Sequence, residues 1–260
     1  MKYITKCRVC SSSNVLTHGS VLAPFLSHRM FDLEPVEITK LVEPFRNNSV
    51  HYVPCKTMGC QECGFLGINI VFDEEEMGKL YKGYMQSDYL STRRLYEPHF
   101  ELSPHRPDDT KSAEDFIVET IGKIPTKCLD YGCSDMSHSP FMNQSEVHGF
   151  DIGQDDTFIK SKVYDIVTCL HVLEHVPDLQ VFLQKLKSIP SEFLYIEVPY
   201  EKHLQKYTVL KDQVNNKEHW HEHINFFTPG SLHSLLSKYF TVVNCMCTDR
   251  LIKLVLKYTS

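Results

Sequence analysis

Strand and helix patterns alternate along the chain from about residue 113 to its end. The run Tyr164–Leu170 is almost continuously apolar, as parallel strands buried on both faces are, and Ala113–Gly122 has helical spacing of its apolar residues. Strands are also predicted at Cys128–Tyr131, Val147–Ile152, Phe193–Val198, Phe240–Asn244 and Leu251–Tyr258, and helices at Leu179–Ser188 and Pro229–Tyr239. The alternation predicts an α/β domain over residues 113–260, with a mostly parallel sheet covered by helices on both faces.

Four of the ten cysteines form two C-x-x-C pairs, Cys7 with Cys10 and Cys60 with Cys63. Two-residue spacing lets both thiolates of a pair face one ion. The N-terminus has no apolar run of the kind found in secretory signals, so metal ligation is favoured over disulfides. We predict a closed, four-thiolate structural zinc site in a small, loop-rich and strand-poor module over residues 1–75. The alternative is two accidental pairs of buried thiols, as expected for the six remaining cysteines.

A tyrosine-rich segment, residues 76–112, joins the two predicted units. It begins after the acidic run Asp73–Glu76, which is interpreted as a solvated helix start. The stretch Pro98–Pro107 contains three prolines and is predicted to be a turn or linker. The segment is predicted to be helical, either packed as an ordinary helix on the main domain or placed as a lid.

Charge and hydropathy exclude some classes of partner. The net charge is -6 and no long basic run occurs, which disfavours a nucleic-acid partner. No stretch of about 18 apolar residues is present, so no membrane span is expected. Without export signals, we expect a cytoplasmic protein.

Two features at predicted strand ends point to a nucleotide-type cofactor. Gly132 follows the strand Cys128–Tyr131, where a glycine lets the backbone approach a ligand at the carboxyl end of a sheet. Asp151 ends the next strand, and an acid at that position commonly accepts hydrogen bonds from ribose hydroxyls. The strand Tyr164–Leu170 is then followed by the run His171-Val-Leu-Glu-His175.

These segments resemble the class I S-adenosylmethionine (SAM)-dependent methyltransferases. The run YDIVTCLHVLEHVPDLQVFLQKL resembles strand four and the next helix of that family, and FLYIEVPY is similar to its fifth strand. The stretch HEHINFFTPGSLHSLLSKYF resembles branches that modify sugars and other small molecules. The GCSD turn, the cysteine pairs and the tyrosine-rich segment are similar to the zinc-containing sugar C-methyltransferases. The resemblance covers nearly the whole chain and implies a Rossmann-like sheet.

The resemblance implies a set of SAM-contacting residues at three strand ends: Asp130, Gly132, Cys133, Asp151, Leu170 and His171. In this arrangement SAM lies over the glycine turn with its ribose on Asp151, and His171 contacts the adenine edge or the ribose. Glu174 and His175 are interpreted as capping or pairing residues that open the next helix.

The resemblance also implies a catalytic group. Glu222-His223 matches the Glu-His pair that provides the base in the zinc-containing sugar C-methyltransferases, and histidine suits a base near neutral pH. A tyrosine assists there, and its nearest match is Tyr84, with Tyr81 or Tyr89 as alternatives. The other interpretation of Glu222-His223 is a hydrogen-bonded structural pair that anchors the loop before the next helix.

Two departures from the family pattern affect the cofactor site. Met136 stands where the family has the last glycine of its motif. Only residues 152–163 separate Asp151 from the strand at Tyr164, so the usual helix and third strand do not fit between them. The part that carries the adenine contact is therefore predicted to be shortened or absent.

The expected function is methyl transfer from SAM to a small polar acceptor. The acceptor is expected to be a sugar or sugar-derived intermediate of polysaccharide or secondary-metabolite biosynthesis, methylated on carbon or on oxygen. A non-catalytic relative that binds or regulates a partner is the alternative, which Met136 and the shortened region favour and Asp151 and His223 oppose. A nucleic-acid methyltransferase with a zinc ribbon is disfavoured by the acidic charge balance.

Overall fold

The computed structural model describes residues 1–33, 53–84, 86–97, 107–134, 136, 138–151 and 154–259. The predicted linker Pro98–Pro107 lies outside the described residues, apart from Pro107, which begins a helix. Within the described part of the chain, no helix is both long and apolar enough to cross a membrane.

The described part of the N-terminal region, residues 1–33 and 53–73, contains five strands and one helix. They are β1 (Lys2–Tyr3), β2 (Val15–Leu22), α1 (Pro24–Phe31), β3 (Pro54–Cys60), β4 (Leu66–Ile68) and β5 (Ile70–Val71). The long strands β2 and β3 pair antiparallel from Val15↔Cys60 to Val21↔Pro54, and β4 pairs antiparallel with β3.

The expectation of a strand-poor module is therefore wrong. The strands were hidden because polar residues fill buried positions on them. The Thr57 hydroxyl donates to the carbonyl of Lys217 at 2.8 Å, and the Ser20 hydroxyl lies 3.2 Å from the Cys55 thiol. These hydrogen bonds satisfy polar groups that a hydropathy pattern counts as exposed.

The tyrosine-rich segment is helical, as predicted. It forms α2 (Glu74–Tyr81) and α3 (Ser87–Tyr96). Asp73 and Glu76 make a reciprocal capping box at the start of α2, which confirms the acidic run as a helix start.

The rest of the described chain contains the strands of the main sheet, the helices around them and two short strands, and most of these elements match the predicted ranges. They are α4 (Pro107–Ile121), β6 (Lys127–Tyr131), β7 (Glu146–Phe150), α5 (Thr157–Lys160), β8 (Tyr164–Leu170), α6 (Leu179–Lys187), β9 (Ser191–Pro199), α7 (Lys202–Lys206), α8 (Leu210–Asn215), β10 (His219–Trp220), β11 (Asn225–Phe226), α9 (Pro229–Leu236), β12 (Phe240–Cys247) and β13 (Leu251–Tyr258). Thr228 caps α9 and Pro229 is its first residue.

The main sheet has six strands in the order β12-β13-β9-β8-β6-β7. Strands β7, β6, β8 and β9 are parallel to their neighbours, and β13 runs antiparallel between β9 and β12. Helices α6 and α9 pack on one face of the sheet, in a hydrophobic cluster that includes Val167 and Cys169 of β8. Helix α4 packs on the other face, in a cluster that includes Ile166 of β8. This arrangement is the mixed α/β, Rossmann-like sheet that the resemblance implied.

The sheet ends at β7. Between residues 154 and 163 the structure has one short helix, α5, and no further strand pairs with β7 in the described part of the chain. The predicted loss of the third-strand region is confirmed.

The main sheet is joined to the N-terminal sheet, which is built on β2, β3 and β4, through residues 219–226. Strand β10 pairs parallel with β2, and β11 pairs antiparallel with β4, so both extend the N-terminal sheet into the order β10-β2-β3-β4-β11. Residues 219–226 thus belong in sequence to the segment assigned to the main domain and in space to the N-terminal sheet. This segment contains Glu222 and His223.

Candidate active site and cysteine cluster

The two cysteine pairs meet in one cluster. The four sulfur atoms of Cys7, Cys10, Cys60 and Cys63 all lie within 4.8 Å of one another. Cys7 is 3.7 Å from Cys63, and Cys10 is 3.4 Å from Cys60. Four sulfurs at about 2.3 Å from one ion in a tetrahedron lie about 3.8 Å apart. The cluster therefore has the dimensions of a four-thiolate metal site.

The Cys7 thiol of the cluster differs from the Cys55 thiol. A hydrogen bond from Cys63 lowers the pKa of the Cys7 thiol to about 5, which favours the thiolate that ligates metals. Cys55 lies outside the cluster on β3, and burial raises the pKa of its thiol to about 11. Cys55 therefore has the character of a buried, inert thiol.

A glycine turn connects β6 to the loop that follows. Gly132 has φ of +88°, and a Cβ atom on it would lie 2.5 Å from a methyl of Val172. The amides of Gly132 and Cys133 both donate to the carbonyl of Phe150, at 2.7 and 3.3 Å. Only glycine fits this turn, which is fixed against the end of β7.

Met136 and Cys133 fill the space above Gly149. A Cβ atom on Gly149 would collide with both side chains. Met136 itself has a left-handed backbone, with φ of +62°. The residue that departs from the family motif is thus accommodated by the missing side chain of Gly149.

The residues implied in SAM binding lie at the carboxyl edge of three adjacent strands, but they differ in exposure. Asp151 and Leu170 are partly buried there, and His171 is exposed with φ of +54°. Asp130, by contrast, is buried within β6, where its carboxylate accepts hydrogen bonds from Ser139 and from Thr168. Burial raises the pKa of Asp130, and these hydrogen bonds oppose the shift. Asp130 thus stabilises the loop that follows β6.

A cluster of ionisable side chains lies after the end of β8. Glu174 is in the 3-10 turn Leu173–His175, is fully buried, and has no hydrogen-bond partner on either carboxylate oxygen among the described residues. His171 Nδ1 lies 3.5 Å and His175 Nε2 4.0 Å from one of these oxygens. The rings of His175 and His223 are 4.7 Å apart and nearly perpendicular.

The second ring nitrogens of these histidines have their own partners. His175 Nδ1 is 3.1 Å from the carbonyl oxygen of Glu222, and His223 Nδ1 is 2.6 Å from a carboxylate oxygen of Glu201. His171 Nε2 lies 3.3 Å from Glu197, a buried carboxylate that also faces Lys253 Nζ at 3.4 Å. Each imidazole is therefore oriented by an acceptor.

The three histidines differ in pKa because their neighbours differ. Burial opposes protonation of all three rings. For His171 the carboxylates of Glu174 and Glu197 outweigh burial and raise the pKa to about 10. For His223 the hydrogen bond with Glu201 raises the pKa above its ordinary value. For His175 burial and the positive charge of His223 lower the pKa to about 4.

Glu222 lies beside this cluster together with Tyr81, Tyr84 and Tyr89. The Glu222 carboxylate accepts hydrogen bonds from the Tyr89 hydroxyl and from Arg93, the latter at 2.9 Å, both on α3. The Tyr81 hydroxyl is 3.0 Å from His175 Nδ1. Tyr84 packs edge-on against both tyrosine rings, and burial raises the pKa of its hydroxyl to about 12. The carboxylate that orients His223 is thus that of Glu201, and Glu222 fastens α3.

Sequence reasoning did not identify Glu174, His175 and Glu201 as parts of one site with His223. The spacing His171-x-x-Glu174-His175 was a usable signal, because a 3-10 turn after a strand brings such residues to one edge. Glu201 follows β9 with no neighbouring motif, so only the fold reveals its contact with His223.

Comparison with known proteins shows the family of the chain. A family model described as a methyltransferase domain matches residues 94–243. The chain belongs to this methyltransferase family. A ubiquinone biosynthesis O-methyltransferase of Pseudoalteromonas translucida is 25% identical over 181 residues, covering 53% of this chain and 70% of that protein. The protein is thus a SAM-dependent methyltransferase.

Solved structures include more distant likenesses to this methyltransferase. Magnesium protoporphyrin IX methyltransferase from Synechocystis PCC 6803, solved with bound SAH, is 16% identical, with coverage of 69% of this chain and 98% of that chain and a TM-score of 0.43. A protein from Pyrococcus horikoshii OT3 is 10% identical, with coverage of 65% and 99% and a TM-score of 0.43.

Proposed function

We propose that the enzyme methylates a small polar acceptor, a sugar or sugar-derived intermediate of polysaccharide or secondary-metabolite biosynthesis, and that His223 accepts the acceptor's proton. The observation that carries this proposal is the 2.6 Å contact between His223 Nδ1 and Glu201. When Nδ1 donates its hydrogen to that carboxylate, Nε2 keeps a lone pair. The His223 side chain is 39% exposed, so the ring is accessible from outside.

The residues at the strand ends suit SAM. Asp151 offers carboxylate oxygens to ribose hydroxyls at the end of β7. Gly132, with no side chain and φ of +88°, lets a ligand approach the backbone at the end of β6. Leu170 and His171 border the same edge at the end of β8, and Cys133 lies in the loop beside Gly149.

The chemistry is an in-line displacement. Bound SAM supplies an activated methyl group on a sulfonium that leaves as a neutral thioether. The chain has to align the acceptor atom with that methyl group and receive the proton that the acceptor loses. His223 Nε2 takes this proton, and Glu201 stabilises the resulting imidazolium. Tyr81 and Tyr84 wall the acceptor side next to His175.

A second acceptor class has its own support. The curated relative is named as a ubiquinone biosynthesis O-methyltransferase, and an aromatic acceptor suits the cluster of Tyr81, Tyr84 and Tyr89, whose rings are 5.2–5.3 Å apart. In that case the methylated atom is a phenolic oxygen. Nucleotide sugars and simple phenols are therefore both to be assayed for SAM-dependent release of S-adenosylhomocysteine.

We further propose that the cysteine cluster holds a structural zinc ion. Four thiolates fill all positions of a tetrahedral site and leave none for substrate. The ion would join the turn after β1 to the hairpin between β3 and β4. The loop of the first pair also contacts the main domain, because Gln180 of α6 donates to the carbonyl of Arg8 at 2.9 Å.

Replacement of Asp151 by alanine is expected to weaken SAM binding by roughly 10–100-fold, because hydrogen bonds to a charged group contribute about 1.5–3 kcal/mol. Calorimetric titration with SAM and with S-adenosylhomocysteine measures this. Glu119→Ala is the control, since it removes one negative charge from the exposed face of α4. Equal affinity in the two variants would place the ribose elsewhere.

Replacement of His223 by alanine is expected to lower the turnover number about 10²–10⁴-fold while SAM affinity stays within a factor of about three. Single-turnover assays with the accepted substrate measure the first quantity and calorimetry the second. An alanine variant with unchanged turnover would exclude His223 as the base.

A further inference from the structure

We propose that Glu174, His175 and His223 form a binding site for one divalent transition-metal ion, distinct from the cysteine cluster. The inference rests on the proposed function, because the site lies where the acceptor is expected, and it changes the role of His223. A bound ion would occupy the Nε2 lone pair and would itself favour loss of the acceptor's proton.

The three side chains converge on one point. Each offers one ligand atom, and these atoms lie within 4.8 Å of one another, the same limit that the four cysteine sulfurs meet. Ligands about 2.1 Å from a tetrahedral ion are about 3.4 Å apart. Side-chain movements of roughly 1 Å therefore suffice to close the set around an ion.

Glu174 is the group that calls for a cation. Its side chain is fully buried, and neither carboxylate oxygen receives a hydrogen bond in the described part of the chain. Buried carboxylates are normally paired or bound to a metal. His171 approaches one oxygen at 3.5 Å, but its other nitrogen faces Glu197. Among the described residues, the second Glu174 oxygen has no hydrogen-bond partner.

The acceptors behind both histidines match those of metal-ligating imidazoles. Such a histidine donates its other ring N–H to a carboxylate or backbone carbonyl, which fixes the tautomer and directs the free nitrogen to the ion. Glu201 plays this part for His223 at 2.6 Å, and the carbonyl of Glu222 does so for His175 at 3.1 Å. Two independent contacts thus leave the Nε2 lone pairs of both rings available to an ion.

The donor set indicates which ion fits. Two imidazole nitrogens and one carboxylate oxygen suit Zn²⁺, Mn²⁺ or Fe²⁺ better than the all-oxygen preference of Mg²⁺ or Ca²⁺. Three protein ligands leave at least one position open, in contrast to the closed set of four thiolates.

Titration of the protein with MnCl2, followed by the electron paramagnetic resonance signal of free Mn²⁺, tests the site. The protein is first loaded with one equivalent of zinc per chain and freed of excess zinc, so that the ion fills the four-thiolate cluster and not the proposed site. Mn²⁺ prefers nitrogen and oxygen ligands to thiolates, so the cysteine cluster does not contribute. We expect one Mn²⁺ per chain, at least tenfold weaker binding in Glu174→Gln, and a roughly 10–100-fold loss in Glu201→Gln. His221→Ala is the matched control, because its imidazole is similarly exposed but pairs with Glu97.

The outcomes separate this inference from the proposed function. Absence of saturable Mn²⁺ binding in the folded wild type, or unchanged binding in both Glu variants, would overturn the metal site. If Glu174→Gln does not fold, Glu201→Gln decides alone, since the Glu201 side chain is partly exposed. SAM titration of the same samples tests the cofactor site independently, so SAM binding without Mn²⁺ binding leaves the proposed methyl transfer standing with His223 as base.

Discussion

Replacement of Cys60 by serine is expected to lower the melting temperature by more than about 10 °C. A structural zinc site contributes on the order of 10 kcal/mol in zinc-finger peptides, and each kcal/mol corresponds to about 2–4 °C in a protein of this size. Cys60 ends β3, is buried, and lies 3.4 Å from Cys10 across the cluster. Loss of this thiolate leaves three ligands and releases the loop of Cys7 and Cys10.

The destabilisation should reach the main domain. The loop of the first cysteine pair is held by Arg8, whose guanidinium donates to Asn225 at 3.1 Å and to the carbonyl of Ile68 at 2.9 Å. Asn225 in turn donates to the carbonyls of Leu173 and Val176, next to the 3-10 turn that contains Glu174. A disordered cysteine loop would therefore loosen the candidate active site as well as the N-terminal sheet.

Thermal unfolding by circular dichroism, together with zinc content per chain, tests this prediction. Cys245→Ser is the matched control, because Cys245 is exposed on β12 and outside the cluster, and we expect a change of less than about 2 °C. Equal melting temperatures for the two variants, with no zinc in the wild type, would mean that the four thiols pack without an ion.

The parallel core of the fold was predictable because its strands are buried on both faces. Tyr164–Leu170 is observed as predicted, and Cys128–Tyr131 differs by one residue at its start. Such strands are nearly continuous runs of apolar residues, so they can be recognised in the sequence without knowing which strands lie beside them. The absence of the third-strand region was predictable by counting residues alone, because residues 152–163 cannot hold a helix and a strand with their turns.

The N-terminal sheet was not predictable by the same reasoning. Its partner strands are distant in sequence, as in β2 with β10 or β4 with β11, and β10 and β11 have two residues each. Strands this short carry no periodicity. Their pairing is decided by tertiary contacts, which no local pattern records.

The candidate site divides in the same way. The cysteine cluster was predictable, since spacing within each pair and matching chemistry between pairs require no knowledge of the fold. The role of Glu222 could not be predicted, because it depends on the direction that its side chain takes in the folded chain. Because it lies next to His223 in sequence, a shared role was expected, yet its carboxylate meets Arg93 and Tyr89 while His223 turns to Glu201. The two residues lie in the bend between β10 and β11, where their side chains take different partners.

Replacement of Trp220 by alanine is expected to lower the free energy of unfolding by about 3–5 kcal/mol, which corresponds to a decrease of roughly 10 °C in melting temperature. Trp220 is 0% exposed and packs against Phe226 with ring centres 5.0 Å apart. Its indole N–H donates to the Thr57 hydroxyl at 2.8 Å, which joins β10 to β3 across β2. The alanine variant would lose this packing and leave a cavity in the hydrophobic cluster that contains Phe226.

A graded series distinguishes packing from hydrogen bonding at this position. Trp220→Phe keeps most of the ring and should cost about half as much or less, because only one hydrogen bond and part of the packing are lost. His219→Ala, on the exposed neighbour, should change stability by less than about 0.5 kcal/mol. SAM affinity should stay unchanged in Trp220→Phe, since Gly132 and Asp151 belong to the other sheet. If Trp220→Ala melted within about 2 °C of the wild type, the N-terminal sheet would not depend on β10, and the position of His223 would have to be held by the main domain alone.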